Sequence, residues 1–311
     1  MTAIPTLWLI FGGVVTAVMA ADLAFVARQT LSIRQAARWS TVVVMTALLF
    51  GLAVLWQSGT KPALEFYAGY LIELTLSVDN LFVFLMIFEY FAVPATAQRR
   101  VLSWGIFGAM VLRGLMIAAG SAVIGRFEWV IYLLGLLLLY TAVRMYRDDD
   151  VRLEPERNPL VRLTRRLVPM TGAFEGDKFF IKSRAGWLAT PLLLVVVIVN
   201  WTDVVFAIDS VPAIFAVTRD TFIVFSSNVL AILGLRALFF VLADLMTRFA
   251  YLKPGVALIL AFVGFKMVAS YWIHLSTGLS LGVILAVLAI SVVMSIVKLK
   301  AAPRQTSGPN G

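Results

Sequence analysis

Apolar residues occur along this chain in continuous runs of about twenty, neither alternating nor arranged in amphipathic stripes. A helix of that length spans the hydrocarbon core of a bilayer, because each residue advances it by about 1.5 Å. A β-barrel would instead show alternating segments of about ten residues. We therefore predict an all-α polytopic membrane protein with nine spans, near 7–27, 39–57, 66–90, 101–120, 127–145, 188–211, 221–243, 254–273 and 279–297.

The composition agrees with this prediction and narrows the chemistry. Hydrophobic residues make up 61% of the 311 positions and charged residues only 14%, against about 25% charged in soluble proteins. The chain has no cysteine, which excludes disulfides and thiolate ligands, and its single histidine, His274, provides no basis for a His-rich site. The first span lacks a basic leader, and Asp22 stands where a signal peptide would have small residues, so we predict a retained helix.

The formal net charge of +9 is placed unevenly along the chain. Most lysines and arginines lie in alternate loops and in the C-terminal tail. By the positive-inside rule, the N-terminus is outside and the C-terminus is cytoplasmic, as an odd number of spans requires. The excess of basic residues thus indicates the orientation of the chain in the membrane. Because these residues are spread over several loops, we predict no nucleic-acid partner.

One long polar segment, about 146–185, interrupts the apolar runs. Its mixed charge and prolines predict a cytoplasmic connector with a short interfacial helix at 160–168. The rest of 1–297 is predicted to form a single transmembrane domain. The polar residues of 298–311 predict a disordered cytoplasmic tail.

Six acidic residues lie within or at the ends of the predicted spans: Asp22, Glu73, Asp79, Glu89, Asp203 and Asp209. Six isolated charges would cost roughly 15–20 kcal/mol on insertion scales, more than a typical net stability of about 5–15 kcal/mol. Each must therefore be near an interface, paired, protonated or bound to a cation. Asp22 and Glu89 are close enough to predicted ends to reach the interface, whereas the other four need another explanation.

The same pattern occurs in both halves of the chain: two acids six residues apart, then an arginine in the next span. ELTLSVDN supplies Glu73 and Asp79 before Arg113, and DVVFAIDS supplies Asp203 and Asp209 before Arg236. This indicates two three-span repeats, at about 66–145 and 188–273, with extra helices at 7–57 and 279–297. Because three is odd, the repeats are inverted, which is typical of secondary transporters with a site near the midplane.

Six residues on a helix correspond to 600°, so the two acids of each copy lie about 120° apart. One carboxylate then faces a site while the other meets an arginine, unless the helix is broken between them. Pro212 follows the second copy closely and disfavours helix just before it, which favours a break there. We expect the later acid of each copy to hold an ion and the earlier one to complete its shell or pair with arginine.

The ligands available within the spans are oxygen atoms from carboxylates, from backbone carbonyls and from Asn80, Asn200, Ser210 and Asn228. All-oxygen sites suit Mg²⁺, Ca²⁺ and Mn²⁺. Buried carboxylates are also easily protonated, so exchange of metal for protons is chemically natural. Two alternatives remain open, namely that both arginines form purely structural ion pairs and that Asn228 is a helix–helix contact.

Several long motifs resemble the TerC/Alx family of bacterial integral membrane proteins. They are ELTLSVDNLFVFLMIF, RRVLSWGIFGAMVLRG, DVVFAIDSVPAIFAVT and FIVFSSNVLAILGLRALFF. The resemblance extends over roughly residues 10–297. It implies the inverted-repeat fold of the LysE-type exporter superfamily, the bacterial cytoplasmic (inner) membrane, and export of Mn²⁺ by a family named for tellurium resistance.

The resemblance also implies a metal path, whose residues would be Glu73, Asp79, Asn80, Asp203, Asp209 and Ser210. As supporting ion-pair or neighbouring residues we predict Asp22, Arg113, Asn200, Asn228 and Arg236. The chain departs from the family at Asn200, where members often carry an acid. The amide keeps an oxygen ligand but removes a charge.

We therefore predict a transporter that exports Mn²⁺ in exchange for protons, with the lipid bilayer, a divalent ion and protons as partners. No permanently bound cofactor is predicted. Paired intramembrane aspartates also occur in aspartyl intramembrane proteases, but their GxGD-type stretch is missing here, so we predict no enzyme. The alternative is a non-transporting membrane scaffold in a tellurite-stress or metal-loading complex.

Overall fold

The computed structural model describes residues 5–22, 33–127, 129–147, 159–183, 186–245, 251–272 and 275–301. Within these ranges a few side chains lie outside the description, among them those of Asp79 and Arg236. The predicted tail falls on residues outside the described part from 302 onward. Its start at 298 is wrong, because the last helix continues to Ala301.

Every apolar run contains a helix. The helices are α1 (Pro5–Ala21), α2 (Ile33–Ser58), α3 (Thr60–Tyr90), α4 (Ala95–Arg126), α5 (Val130–Arg147), α6 (Pro159–Leu167), α7 (Pro191–Phe215), α8 (Thr221–Leu245), α9 (Leu252–Val268) and α10 (Thr277–Ala301). A 3-10 turn, Ala269–Tyr271, extends α9. In the described part, five helices contain a stretch long and apolar enough to cross a membrane, namely α2, α4, α5, α7 and α10. Nine spans and their orientation stay predictions.

Local capping explains where α7 and α8 begin. Thr190 precedes Pro191, and its hydroxyl accepts a hydrogen bond from the Leu192 N–H at 3.3 Å. Asp220 does the same for α8, accepting from the N–H groups of Phe222 and Ile223. Such caps satisfy helix donors that have no partner within the helix. The chain between the two caps therefore forms one uninterrupted helix and a short link.

The helices of the two predicted repeats pack against each other. Helix α3 lies against α8, α4 against α7, and α5 against α9, while α2 and α10 flank this group. Contact between α5 and α9 is backbone to backbone, since a methyl group at Gly264 would lie 2.9 Å from the Gly135 carbonyl oxygen. Small residues permit such close helix approach in membranes. The inverted symmetry itself stays a prediction.

Helix α7 is continuous, so the predicted break is wrong. It runs from Pro191 to Phe215 and contains Pro212, and α3 likewise continues past Asn80. A proline removes only one helical hydrogen bond, and neighbouring helices can accommodate that loss in a bundle. All residues of α7 from Ser210 onward are buried. Because both helices are regular, acids six residues apart face different directions.

The connector contains structure that the all-α prediction omitted. Strands β1 (Phe180–Ser183) and β2 (Gly186–Ala189) form an antiparallel hairpin, and each is too short to show a clear alternating pattern. Helix α6 nearly coincides with the predicted interfacial helix, with Val161 buried and Leu167 exposed. An ion pair between Arg100 and Asp177, at 2.9 Å, joins the connector to α4.

Candidate functional site

Arg113 lies near the middle of α4 and is only 1% exposed. It is surrounded by side chains from α3, α7 and α8. We call the group of Arg113, Glu73, Asp203, Ser210 and Asn228 the Arg113 centre. Four helices, two from each predicted repeat, therefore meet at one buried cation.

Asp203 makes the more regular of the two ion pairs. Arg113 Nε donates to Asp203 Oδ2 at 2.9 Å, and Nη2 donates to Oδ1 at 2.8 Å. This is the bidentate fork geometry in which a guanidinium and a carboxylate bind most strongly. The pair joins α4 to α7 across the boundary between the two predicted repeats.

Glu73 accepts donors from three different helices. Arg113 Nη1 and the Ser77 hydroxyl donate to its Oε1, the latter at 3.2 Å. Asn228 Nδ2 donates to its Oε2 at 2.9 Å. The Glu73 side chain is fully buried, so these contacts replace the hydration that the carboxylate would have in water.

Helix geometry explains why Ser210, and not Asp209, joins Asp203. Seven residues correspond to 700°, which returns to within about 20° of the starting direction, whereas six residues leave an offset of about 120°. Ser210 accordingly accepts a hydrogen bond from Arg113 Nη1 at 3.1 Å. Asp209 points toward α5, where Thr141 Oγ1 donates to its Oδ1 at 2.9 Å.

The described charges of the Arg113 centre do not cancel. Two carboxylates face one guanidinium, so the centre carries one net negative charge when both acids are ionised. An uncompensated charge is expensive inside a bilayer. A single proton would cancel it, whereas a divalent cation would need one further carboxylate for full neutralisation.

Two buried amide oxygens on α7 and α8 have no hydrogen-bond partner among the described residues. Asn228 Oδ1 belongs to the amide that already binds Glu73. Asn200 Oδ1 packs against Gly108 of α4, where a larger residue would collide with it. Buried polar atoms are usually satisfied, and amide oxygens are ligands for hard cations. The Asn228 oxygen, beside Glu73, is therefore the one that could serve a bound ion or water in the Arg113 centre.

A cavity lies on one side of the Arg113 centre, and Asp203 forms part of its wall. Its other lining residues are apolar and come from α3, α4, α7 and α8, among them Phe84, Ala109 and Val199. They all lie toward the end of the bundle that holds the turn between α3 and α4. Asp203 is thus the charged residue in the lining of an otherwise apolar recess.

The structure brings together only part of the predicted set. Glu73, Asp203 and Ser210 meet, together with the supporting residues Arg113 and Asn228. Asp209 lies apart from them, Asn80 is buried farther along α3, and Asp22 is half-buried at the end of α1. The side chains of Asp79 and Arg236 lie outside the description. Among the described residues, no three acidic or histidine side chains converge as a metal site, so the predicted ligand set stays untested.

Sequence reasoning missed Glu65, which precedes the predicted start of the third span. It is buried, and the Thr218 hydroxyl donates to its Oε2 at 2.6 Å. The sequence did contain a signal for Glu65, because Glu65, Gly69, Glu73 and Ser77 follow one another at intervals of four residues. Such residues share one ridge of a helix.

These features define an integral membrane protein whose helical bundle encloses a charged centre. The family described as "Integral membrane protein TerC family" matches residues 58–302. The chain belongs to the TerC family, which confirms the resemblance seen in its motifs. No solved structure matches it.

Relatives match nearly the whole chain. An uncharacterized membrane protein, STKORF319, from Myxococcus xanthus is 45% identical over 96% of this chain and 94% of its own. A "putative membrane-bound redox modulator Alx" from Photorhabdus laumondii is 43% identical over 94% and 95%. The chloroplastic "thylakoid membrane protein TERC" of Arabidopsis thaliana is 42% identical over 81% of this chain and 66% of its own.

Proposed function

We propose that this protein is a secondary transporter that exports Mn²⁺ across the bacterial inner membrane in exchange for protons. The observation that carries the proposal is the Arg113 centre itself, in which two buried carboxylates share one guanidinium where helices of both predicted repeats meet. In secondary transporters, sites of this kind lie near the midplane at repeat interfaces. The paired packing of α3 with α8 and of α4 with α7 agrees with a two-fold relation between the repeats.

The donor set favours a hard divalent cation. Carboxylates of Glu73 and Asp203 and the free amide oxygen of Asn228 are oxygen ligands, which suit Mg²⁺, Ca²⁺ and Mn²⁺. The choice of Mn²⁺ among these rests on the resemblance to the family. In this proposal Asp79 and Asp209 are further ligands along the path.

Proton exchange follows from the chemistry of the two acids. A carboxylate buried away from water can be neutralised either by a proton or by a cation. Arg113 keeps its own charge, because a guanidinium is not deprotonated in proteins. It therefore serves as a fixed counter-ion, and each departing metal ion leaves a negative charge that protons neutralise.

The bacterial relatives are named as redox modulators, and this name is compatible with metal export even though the chain has no thiol. This chain has no cysteine, so the protein itself offers no thiol for exchange reactions. A change in cellular metal content would alter redox balance indirectly. In this proposal, the redox role named for those relatives would be an indirect consequence of metal export.

A membrane scaffold is the second candidate function. One face of the hairpin exposes Phe180 and Trp187, at 47% and 66%, and such aromatic side chains are enriched at protein interfaces. In this alternative the Arg113 centre is a structural ion-pair network. A transport measurement separates the two.

The decisive experiment is metal flux into liposomes that contain the purified protein. We expect Mn²⁺ flux driven by a pH gradient, compared with Mg²⁺, Ca²⁺ and Zn²⁺, and no flux in protein-free liposomes. Glu89→Gln is the control, because Glu89 is exposed at the end of α3 and should transport normally. No flux of any metal would refute transport and favour the scaffold, whereas flux independent of pH would refute proton exchange.

A further inference from the structure

A polar ridge runs along α3 from the Arg113 centre to the end where the helix begins. Glu65, Gly69, Glu73 and Ser77 follow one another at intervals of four residues, which places them on a single ridge. Glu65 and Glu73 are separated by about 12 Å along the helix axis. The ridge is thus a row of polar or small residues along one side of the helix.

Helix α8 presents a matching polar edge to this ridge. Asn228 binds Glu73 at 2.9 Å, and a methyl group at Gly69 would lie 2.8 Å from the Ser227 hydroxyl oxygen. Ser227 and Asn228 are fully buried. We call the contact between the α3 ridge and these two residues the polar seam. It lies on the opposite side of the Arg113 centre from the apolar cavity.

Glu65 occupies the far end of the polar seam. It is 9% exposed, and the short hydrogen bond from Thr218, at 2.6 Å, ties it to the link between α7 and α8 (residues 216–220). The Thr218 hydroxyl oxygen in turn accepts from the Asp220 N–H at 3.2 Å. A movement of this link would therefore break the contact with Glu65.

Several charged groups surround this end. Lys266 of α9 lies within electrostatic range of the Glu65 carboxylate. The link itself carries Arg219 and Asp220, and α3 carries Lys61 one turn earlier. In the described structure the Glu65 carboxylate is thus held by a hydroxyl donor, with an ammonium group in its wider surroundings.

We propose that Glu65 is a second cation site, an exit station for the transported divalent ion, and that the Thr218 hydrogen bond closes the polar seam there between transport cycles. This inference rests on the proposed function. A cation that reaches Glu65 competes with the Thr218 hydroxyl for the carboxylate. Its arrival releases the link, and its departure allows the hydrogen bond to form again.

The absence of native cysteine permits a direct test by thiol labelling. Ser227→Cys places one thiol in the polar seam with little change in size. A membrane-impermeant maleimide is added on the Glu65 side, and the labelling rate is compared in the parental, Thr218→Val, Thr218→Ser and Glu65→Gln backgrounds. Glu89→Gln in the same helix is the matched control, and size-exclusion profiles verify that each variant is folded.

We expect Thr218→Val and Glu65→Gln each to speed labelling at least about tenfold, because each removes a hydrogen bond to a charged acceptor. Thr218→Ser keeps the hydroxyl and should label at the parental rate, as should Glu89→Gln. Parental rates in both Thr218→Val and Glu65→Gln would overturn closure by Glu65. Equal acceleration in Thr218→Ser would overturn the role of the hydroxyl.

Mn²⁺ flux in liposomes separates this inference from the proposed function. Glu65→Gln should lower the maximal rate several-fold with little change in KM, because the Arg113 centre is intact. A normal maximal rate would overturn the exit station. If the parental protein moves no metal, both the proposed function and the claim that Glu65 receives a transported ion are refuted. The labelling rates still decide whether the Glu65–Thr218 hydrogen bond closes the polar seam.

Discussion

Asp203 and Asp209 are the same residue type on the same helix, yet their surroundings differ. Asp203 is 2% exposed and bound through both oxygens by a buried guanidinium. Asp209 is half-buried and accepts a neutral hydrogen bond from Thr141. The difference arises from helical geometry, since side chains six residues apart point in directions about 120° apart.

The comparison shows how a membrane helix can carry two carboxylates with separate roles. Asp203 is compensated by Arg113, and its charge helps to hold α4 against α7. Asp209 has the Arg144 guanidinium near it at the exposed end of α5, where solvent screens such interactions. Both aspartates belong to the proposed path, but Asp203 should matter more for stability than Asp209.

Replacing the two arginines tests this contrast with the largest expected effect. Arg113→Gln leaves two buried carboxylates without their cation and should cost about 3–5 kcal/mol of stability. Arg144→Gln, near Asp209 but exposed, should cost less than about 1 kcal/mol. Thermal unfolding in detergent measures both, and equal effects would contradict the difference between the sites.

Replacing the aspartates themselves should give the next largest effect. Asp203→Asn weakens two hydrogen bonds of the guanidinium but leaves Glu73 paired with Arg113, and should cost about 1.5–3 kcal/mol. Asp209→Asn should cost about 1 kcal/mol or less, yet lower Mn²⁺ flux at least tenfold if Asp209 is a ligand. An Asp209→Asn protein with normal flux would remove Asp209 from the path.

Substitutions of Asn228 test the hydrogen bond that this residue donates to Glu73. Asn228→Leu removes the donor to Glu73 Oε2 and leaves a buried acceptor unsatisfied, which should cost about 1–3 kcal/mol. Asn228→Asp, which adds a like charge beside Glu73, should destabilise further at neutral pH. Unfolding midpoints that rank these two variants in the reverse order would show that the amide contact is unimportant.

The smallest effect is expected at Thr141. Thr141→Val removes the neutral donor to Asp209 and should cost about 0.5–1.5 kcal/mol. In the double variant with Asp209→Asn the two losses should not add, because both act on one contact. Additive losses, measured by unfolding of the four proteins of the cycle, would show that the two side chains are not coupled.

The helical elements could be predicted from sequence because bilayer thickness requires apolar runs of a given length. Each run contains a helix, with ends set by local caps such as Thr190 and Asp220. The hairpin could not be predicted, because its strands are four residues each and pair only after the connector folds. The predicted helix break near Pro212 is wrong, because packing against neighbouring helices outweighs the local preference of one proline.

Sequence alone determined which side chains are costly in a membrane, and so it identified Glu73, Asp203, Asp209 and Arg113 as residues that need partners. Helical periodicity also required that Asp203 and Asp209 face different directions. Only the tertiary structure decided that Glu73 and Asp203 share Arg113, and that Glu65 is buried against Thr218. The reason is physical: burial cost is a property of one residue and its depth, whereas pairing depends on how helices distant in sequence pack side by side.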